Sequence, residues 1–216
     1  VFQERLGSVY DKTMRIVKCA EAVCDAAGIT GTQRDDILRT ALLCKADLIT
    51  SAVVEFTSLQ GIMGGHYARF SGETPEVALG ITDHYRPRFA DDDLPRNLAG
   101  TVTAFSDKLD TICGIFAIGA GPTGSSDPFA LRRAAIGIVN ILLSGLDVSL
   151  SELIDVALGN YRDVVDFDFD AVRDQVRAFF ATRLEVIARD RGYAPDCIAA
   201  VMATGMFEPA ETIARI

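Results

Sequence analysis

Apolar residues recur at the three- to four-residue spacing of a helix with one inward face along nearly the whole chain. No segment sustains the two-residue alternation of a half-buried strand between turn signals, so the pattern predicts an all-α fold of about nine or ten helices. The first is expected over roughly Phe2 to Ala27, stopping at Gly28. The second starts after Thr32 and runs unbroken to Phe56. Shorter helices are expected at Leu59–Phe70 and Pro75–Tyr85, the latter with Thr74 as N-cap and Pro75 in its first turn. Arg86 to Arg96 reads as a loop carrying two prolines and the run Asp91-Asp92-Asp93. Helix returns from Asn97 to Ile118, and the stretch GAGPTGSS then breaks the chain. Asp127-Pro128 is expected to open the next helix as N-cap and first residue, and that helix lasts to about Ser144. Ser149 and Glu152 have the spacing of a capping box.

Composition shifts near Asn160, where residues 161–170 turn acidic and aromatic. The reading is therefore a multi-helix domain over residues 1–160 and a smaller helical extension over 161–216. The extension contains a long helix from Ala171 to Asp190, ended by Gly192, and two short helices.

Apolar residues make up 49% of the 216, enough for a substantial core. No apolar run reaches the roughly 20 residues that span a bilayer, so no membrane role is expected. The opening VFQERLGSVYDK is amphipathic and charged, unlike a signal peptide. It lacks an initiator Met, and the chain is read as a piece of a longer protein. Net charge is −9 with Lys and Arg dispersed, which argues against strong independent binding to RNA or DNA while leaving room for local contacts. Cys19, Cys24, Cys44, Cys113 and Cys197 are odd in number and lack CxxC spacing. Reduced, mostly buried thiols in a cytoplasmic protein are expected rather than disulfides or zinc.

Two helices carry charges in telling places. The stripe Ile37, Leu38, Ala41, Leu42, Cys44, Leu48, Ile49 and Ala52 includes Lys45 when the helix is wound at about 100° per residue, while Asp47 falls well outside it. A Lys in an apolar stripe either snorkels to solvent or pairs with a buried acid. The helix from Asn97 has apolar residues on two faces, so Asp107 is expected to be a partly buried carboxylate and the preferred partner of Lys45.

Ala46-Asp47, Ser106-Asp107 and His84-Tyr85, with Asp92, Asp93 and Pro95 following, resemble in outline the ligand positions of HD-type phosphohydrolases. Those enzymes hold divalent metals on imidazoles and carboxylates to activate water against a phosphate. Here the first helix has no His, and Ala46 stands where the His of the pair would fall. The expectation is a degenerate HD-like site built from Lys45, Asp47, His84 and Asp107, with no metal and no catalytic residue. The loop HYRPRF sets Arg86 and Arg88 among aromatics, and Arg132 and Arg133 sit early in a later helix. These four arginines are the candidate RNA contacts, Arg with aromatics suiting unstacked bases. Against this stands local pairing of Arg86 and Arg88 with the neighbouring aspartates. GAGPTGSS has no following Lys-Ser/Thr and no preceding strand, so it reads as a connection rather than a phosphate loop.

The words KADL (Lys45–Leu48), EFTSLQGIMG (Glu55–Gly64), HYRPRFADDDLP (His84–Pro95), DKLDTICGIFAIG (Asp107–Gly119) and DPFALRRAA (Asp127–Ala135) are long, collinear and rich in unusual residues. Together with GYAPDCIAAVMA (Gly192–Ala203) they resemble the β subunit of bacterial heterotetrameric glycyl-tRNA synthetase. The resemblance implies an α₂β₂ glycine–tRNA ligase whose α subunit activates glycine with ATP and Mg²⁺, and whose β subunit positions tRNA(Gly). It implies that this piece needs no cofactor of its own and does not aminoacylate alone. The alternatives are a working HD-type phosphohydrolase and a spacer that orders its neighbours without touching RNA.

Overall fold

The computed structural model describes residues 3–89, 91–205 and 207–216 and contains eleven α-helices and no named strand among them. The helices are α1 (Val9–Ala26), α2 (Gly31–Leu43), α3 (Ser51–Glu55), α4 (Ile62–Phe70), α5 (Pro75–Asp83), α6 (Leu98–Ala117), α7 (Leu131–Leu143), α8 (Leu150–Gly159), α9 (Phe169–Asp190), α10 (Pro195–Met202) and α11 (Pro209–Arg215). The all-α expectation holds, and none of the helices is long and apolar enough to cross a membrane.

α6 is the axis of the molecule, packed against α1, α2, α5, α7, α8 and α9. Its apolar positions on both faces explain this: Val102, Phe105, Leu109 and Ile112 are fully buried, and so are Ala104, Cys113 and Ile115. A helix that is apolar all round belongs inside. One continuous apolar cluster runs from Leu6 in the N-terminal segment through α6 to Ile187 on α9. Gly114 permits the tightest approach within it, because a Cβ there would stand 2.4 Å from the Tyr161 hydroxyl.

Several helix ends differ from expectation. α1 begins at Val9, where Ser8 and Asp11 form a reciprocal capping box, and Phe2 lies outside the described residues. The expected unbroken second helix stops at Leu43, and a 3₁₀ turn at Ala46–Ile49 and the short α3 replace its second half. α4 begins at Ile62 rather than Leu59, after a 3₁₀ turn at Thr57–Leu59. α5 ends at Asp83 but starts as expected, with the Thr74 hydroxyl accepting from the Val77 amide. Asp127-Pro128 does not open α7, which begins at Leu131. Asp127 still caps that helix from a distance, its two carboxylate oxygens accepting from the Leu131 and Arg132 amides at 2.8 and 3.0 Å. At α8 the Ser149 hydroxyl accepts from the Glu152 amide, but the returning carboxylate is Glu208 from far along the chain. Glu208 accepts from the Ser149 hydroxyl and the Leu150 and Ser151 amides. Sequence spacing finds local caps; this one is tertiary.

All five cysteines are free thiols, four buried and Cys197 exposed. Burial pushes Cys19 and Cys44 up to about 12, which keeps them inert as thiols.

Candidate functional site

Lys45 lies just past the end of α2, with φ −111° and ψ 4°, and is 8% exposed. Its ammonium donates to Asp107 Oδ2 at 2.7 Å and to His84 Nε2 at 2.9 Å, and sits 3.9 Å from the centre of the Tyr85 ring. Snorkelling is thus excluded and pairing with Asp107 holds. His84 Nδ1 lies 2.6 Å from the Ile81 carbonyl, which can only accept, so the proton sits on Nδ1 and Nε2 accepts from Lys45. Burial and the Lys45 charge hold His84 well below its usual 6.5, so it is a neutral imidazole.

Asp107 is shared. Lys12 of α1 reaches its Oδ1 at 2.9 Å while Lys45 takes Oδ2. Burial opposes ionisation of Asp107, but the two ammoniums outweigh it and keep the carboxyl well below the ordinary 3.8. Burial likewise opposes the Lys45 charge, and Asp107 reverses that effect and raises its pKa. The network continues through Lys12 to Asp110 Oδ2 at 3.0 Å. Asp110 Oδ1 accepts from Arg15 at 2.9 Å and from the Tyr161 hydroxyl at 2.8 Å. A buried carboxylate is tolerable only when its lone pairs are met in this way.

Lys12, Arg15, Asp110 and Tyr161 were not among the candidates read from sequence. A signal existed: Lys12 and Arg15 lie on the α1 face of Ile16, Cys19 and Val23, all buried. Asp110 stands beside Leu109 and Ile112 in a helix with two apolar faces.

Asp47 departs from expectation. It was placed outside the apolar stripe, yet it is 2% exposed. The break after Leu43 ends the helical phase on which that placement relied, and the 3₁₀ turn swings Asp47 inward. Its Oδ2 accepts from the Gly61 and Gly64 amides at 2.7 and 3.0 Å, with Gly61 at φ 78°. Asp47 therefore pins the start of α4, while Lys45, His84 and Asp107 meet elsewhere.

Three of the four HD-like positions converge, but around an ammonium. Lys45 occupies the space between the Asp107 carboxylate and the His84 imidazole, so these residues do not fit a divalent cation. Among the described residues no group of three or more His, Cys, Asp or Glu side chains has metal-holding geometry.

The four candidate arginines separate into two pairs. Arg86 is held by Asp83 at 3.6 Å and Asp93 at 3.4 Å, the local pairing weighed above. Arg132 is spent on the Gly124 carbonyl at 2.6 Å. Arg88 and Arg133 are exposed, and no ion pair is seen for either among the described residues. Both line one groove of 540 Å³ between the α5–α6 loop and the start of α7. Asp107 and Lys108 form part of its floor, Tyr85 and Phe129 part of its walls, and Ser58 and Gln60 its polar edge. Lys108 donates to the Tyr85 and Arg86 carbonyls at 3.3 and 2.9 Å, and burial brings it down to about 8. The α7 N-terminus offers no anion site, since Asp127 already holds its Leu131 and Arg132 amides.

The glycyl-tRNA synthetase beta subunit family model matches residues 1–203. The glycine–tRNA ligase beta subunit of Desulforamulus reducens is 47% identical over 218 aligned residues, covering 100% of this chain and 31% of that protein. The corresponding subunit of Clostridioides difficile is 45% identical over 94% of this chain and 30% of its own length, and that of Synechocystis sp. is 46% identical over 94% and 28%. The chain thus spans about a third of the length of the relatives it matches. With the family model matching residues 1–203 and identity at this level sustained from end to end, the chain belongs to the glycyl-tRNA synthetase β-subunit family.

Proposed function

We propose that this chain is a part of a glycine–tRNA ligase β subunit that helps to position tRNA(Gly) on the catalytic α subunit in the cytoplasm. ATP and Mg²⁺ act at the α subunit, and this part supplies scaffold and RNA contact without chemistry of its own. The observation that carries the reading is the meeting of Arg88 and Arg133 in one aromatic-walled groove of a chain whose net charge is −9. A local cationic patch on an acidic body suits a subsidiary contact within a larger assembly, not free-standing nucleic-acid capture, and DNA is not a partner. The buried Lys45–Asp107–His84 cluster supports the non-catalytic half of the reading, since Lys12 and Lys45 already occupy the Asp107 carboxylate and Lys45 the His84 imidazole.

The test is made in the whole α₂β₂ enzyme. Replacing Arg88 and Arg133 together with Gln removes two charge-assisted phosphate contacts, each of roughly 1.5–3 kcal/mol. The KM for tRNA(Gly) should rise at least about tenfold, far more than any change in glycine-dependent pyrophosphate exchange. An unchanged KM for tRNA would leave the chain as a spacer.

A further inference from the structure

We infer that the Arg88–Arg133 groove is a binding site for one unpaired nucleotide, its phosphate held between the two guanidiniums and its base laid against Phe129. This rests on the reading of the chain as a tRNA-positioning part and specifies which element of nucleic acid that part takes. Three observations carry it.

The first is shape. A concavity of 540 Å³ lies in the range of roughly 300–1,000 Å³ typical of small-ligand pockets. Duplex RNA is read by surfaces that track its backbone over many base pairs, so an open concavity of this limited size suits a single extruded unit.

The second is charge. Arg88 and Arg133 bring two permanent cations to the groove, and among the described residues neither guanidinium forms an ion pair, although the Asp92 carboxylate accepts from the Arg88 backbone amide at 2.7 Å. Lys108 adds a third from the floor, and two of its three donors are committed to the Tyr85 and Arg86 carbonyls. The acid in the groove floor, Asp107, is already paired with Lys12 and Lys45, which weakens its repulsion of an entering phosphate. The groove thus presents two guanidiniums outside any ion pair among the described residues, and planar guanidinium matches phosphate oxygens in pairs.

The third is the aromatic surface. The Tyr85 ring carries the Lys45 ammonium, which commits it. Phe129 is 38% exposed at the groove wall and free to stack on a base of any identity. Ser58 and Gln60 stand within the same lining to meet a base edge, which gives the site polar discrimination without a rigid code.

The ligand chemistry is a nucleoside monophosphate unit, whether it belongs to an unpaired segment of tRNA or to a free nucleotide. The whole α₂β₂ enzyme is irradiated with three probes: a single-stranded RNA pentamer containing 4-thiouridine, the same pentamer sealed in a hairpin stem, and free 4-thiouridine monophosphate. The expected result is a cross-link from the single strand to the peptide carrying Phe129 and Arg133, reduced about tenfold in the Arg88→Gln/Arg133→Gln enzyme and only partly restored with both arginines changed to Lys. Strong labelling by the free monophosphate, with none from the pentamer, also supports the site and assigns it to free nucleotide. Labelling only by the stem, or by none of the three, overturns the inference. The tRNA(Gly) KM of the same variant is measured separately, so a groove that fails to take a nucleotide is told apart from a chain that does not position tRNA. Unchanged circular dichroism and Tm establish that the variants fold.

Discussion

Lys45 and Asp107 come from segments far apart in sequence and meet at 2.7 Å inside the molecule, with His84 as a third partner. The pair joins the end of α2 to the middle of α6, and Lys12 ties α1 to the same carboxylate. Where an HD-type enzyme gathers donors around a metal, this chain carries its own cation on a side chain. A lysine supplies one charge with no open coordination position, and the cluster ties α1, α6 and the ends of α2 and α5 together.

Removing that cation strands its partners. Lys45→Met leaves Asp107 with Lys12 alone and His84 Nε2 without a donor, and loss of one member of a buried pair costs about 3–5 kcal/mol. The retained Lys12 places the expected loss nearer 2–3 kcal/mol in guanidinium or urea unfolding. Lys45→Met with Asp107→Asn should recover part of it, and a double-mutant cycle measures how much. Strict additivity would show that the two residues do not interact.

Stability should fall on acidification below about pH 6.5. His84 is held neutral in the fold below its usual 6.5, so in that region the unfolded chain binds a proton that the native one refuses. Stability is therefore full above the unfolded value and decreases as pH drops through it. Asp107, held below 3.8, adds a further loss of the same sign at lower pH. A Tm series from pH 8 to 5 tests this, and His84→Gln should flatten the slope between 6.5 and 5. A wild-type Tm that is level across that interval would contradict a buried neutral imidazole.

Gly114 admits no side chain while Tyr161 holds its place. An added methyl would meet the Tyr161 hydroxyl at 2.4 Å, its ring carbon at 2.6 Å and Leu6 at 3.0 Å. Tyr161 cannot retreat without losing its bonds to Asp110 at 2.8 and 3.0 Å. Gly114→Ala should cost roughly 2–3 kcal/mol, the upper end for overpacking. Tyr161→Phe should cost about 1–3 kcal/mol by leaving Asp110 short of a donor. Thermal or chemical denaturation of the two single variants checks both values.

Divalent metal should neither stabilise this chain nor confer hydrolysis. A ligand that binds the native state stabilises it by mass action, by about 2.7 kcal/mol at a hundredfold excess over its Kd, and so raises Tm. With Lys45 between Asp107 and His84, millimolar Mn²⁺ or Mg²⁺ should leave Tm unchanged, and an activated phosphodiester should survive. A metal-dependent rise in Tm together with turnover would restore the phosphohydrolase reading.

Local features were legible because they depend on local geometry. Thr74 caps α5 as its place before Pro75 indicates, and the apolar faces of α6 announced its central place. An acid partner for Lys45 was one of the two outcomes its apolar neighbours allowed, and Asp107 was the partner expected. Asp47 was misplaced because its helical phase was carried across a break, and the break depends on bonds to Gly61 and Gly64 that no local pattern displays. The grouping of the arginines was hidden for a similar reason. Arg86 and Arg88 are neighbours in the chain, yet one faces Asp83 and Asp93 and the other shares a groove with Arg133.

From its residues alone this protein was bound to be helical, because a 3.6-residue apolar period governs that property, and its resemblance to one synthetase subunit lay in long shared words, not in composition. Packing alone decided which acids meet which cations, where Asp47 points and which arginines stay unpaired. Those outcomes depend on desolvation and Coulomb forces between side chains distant in sequence, and such forces act only after the helices have docked.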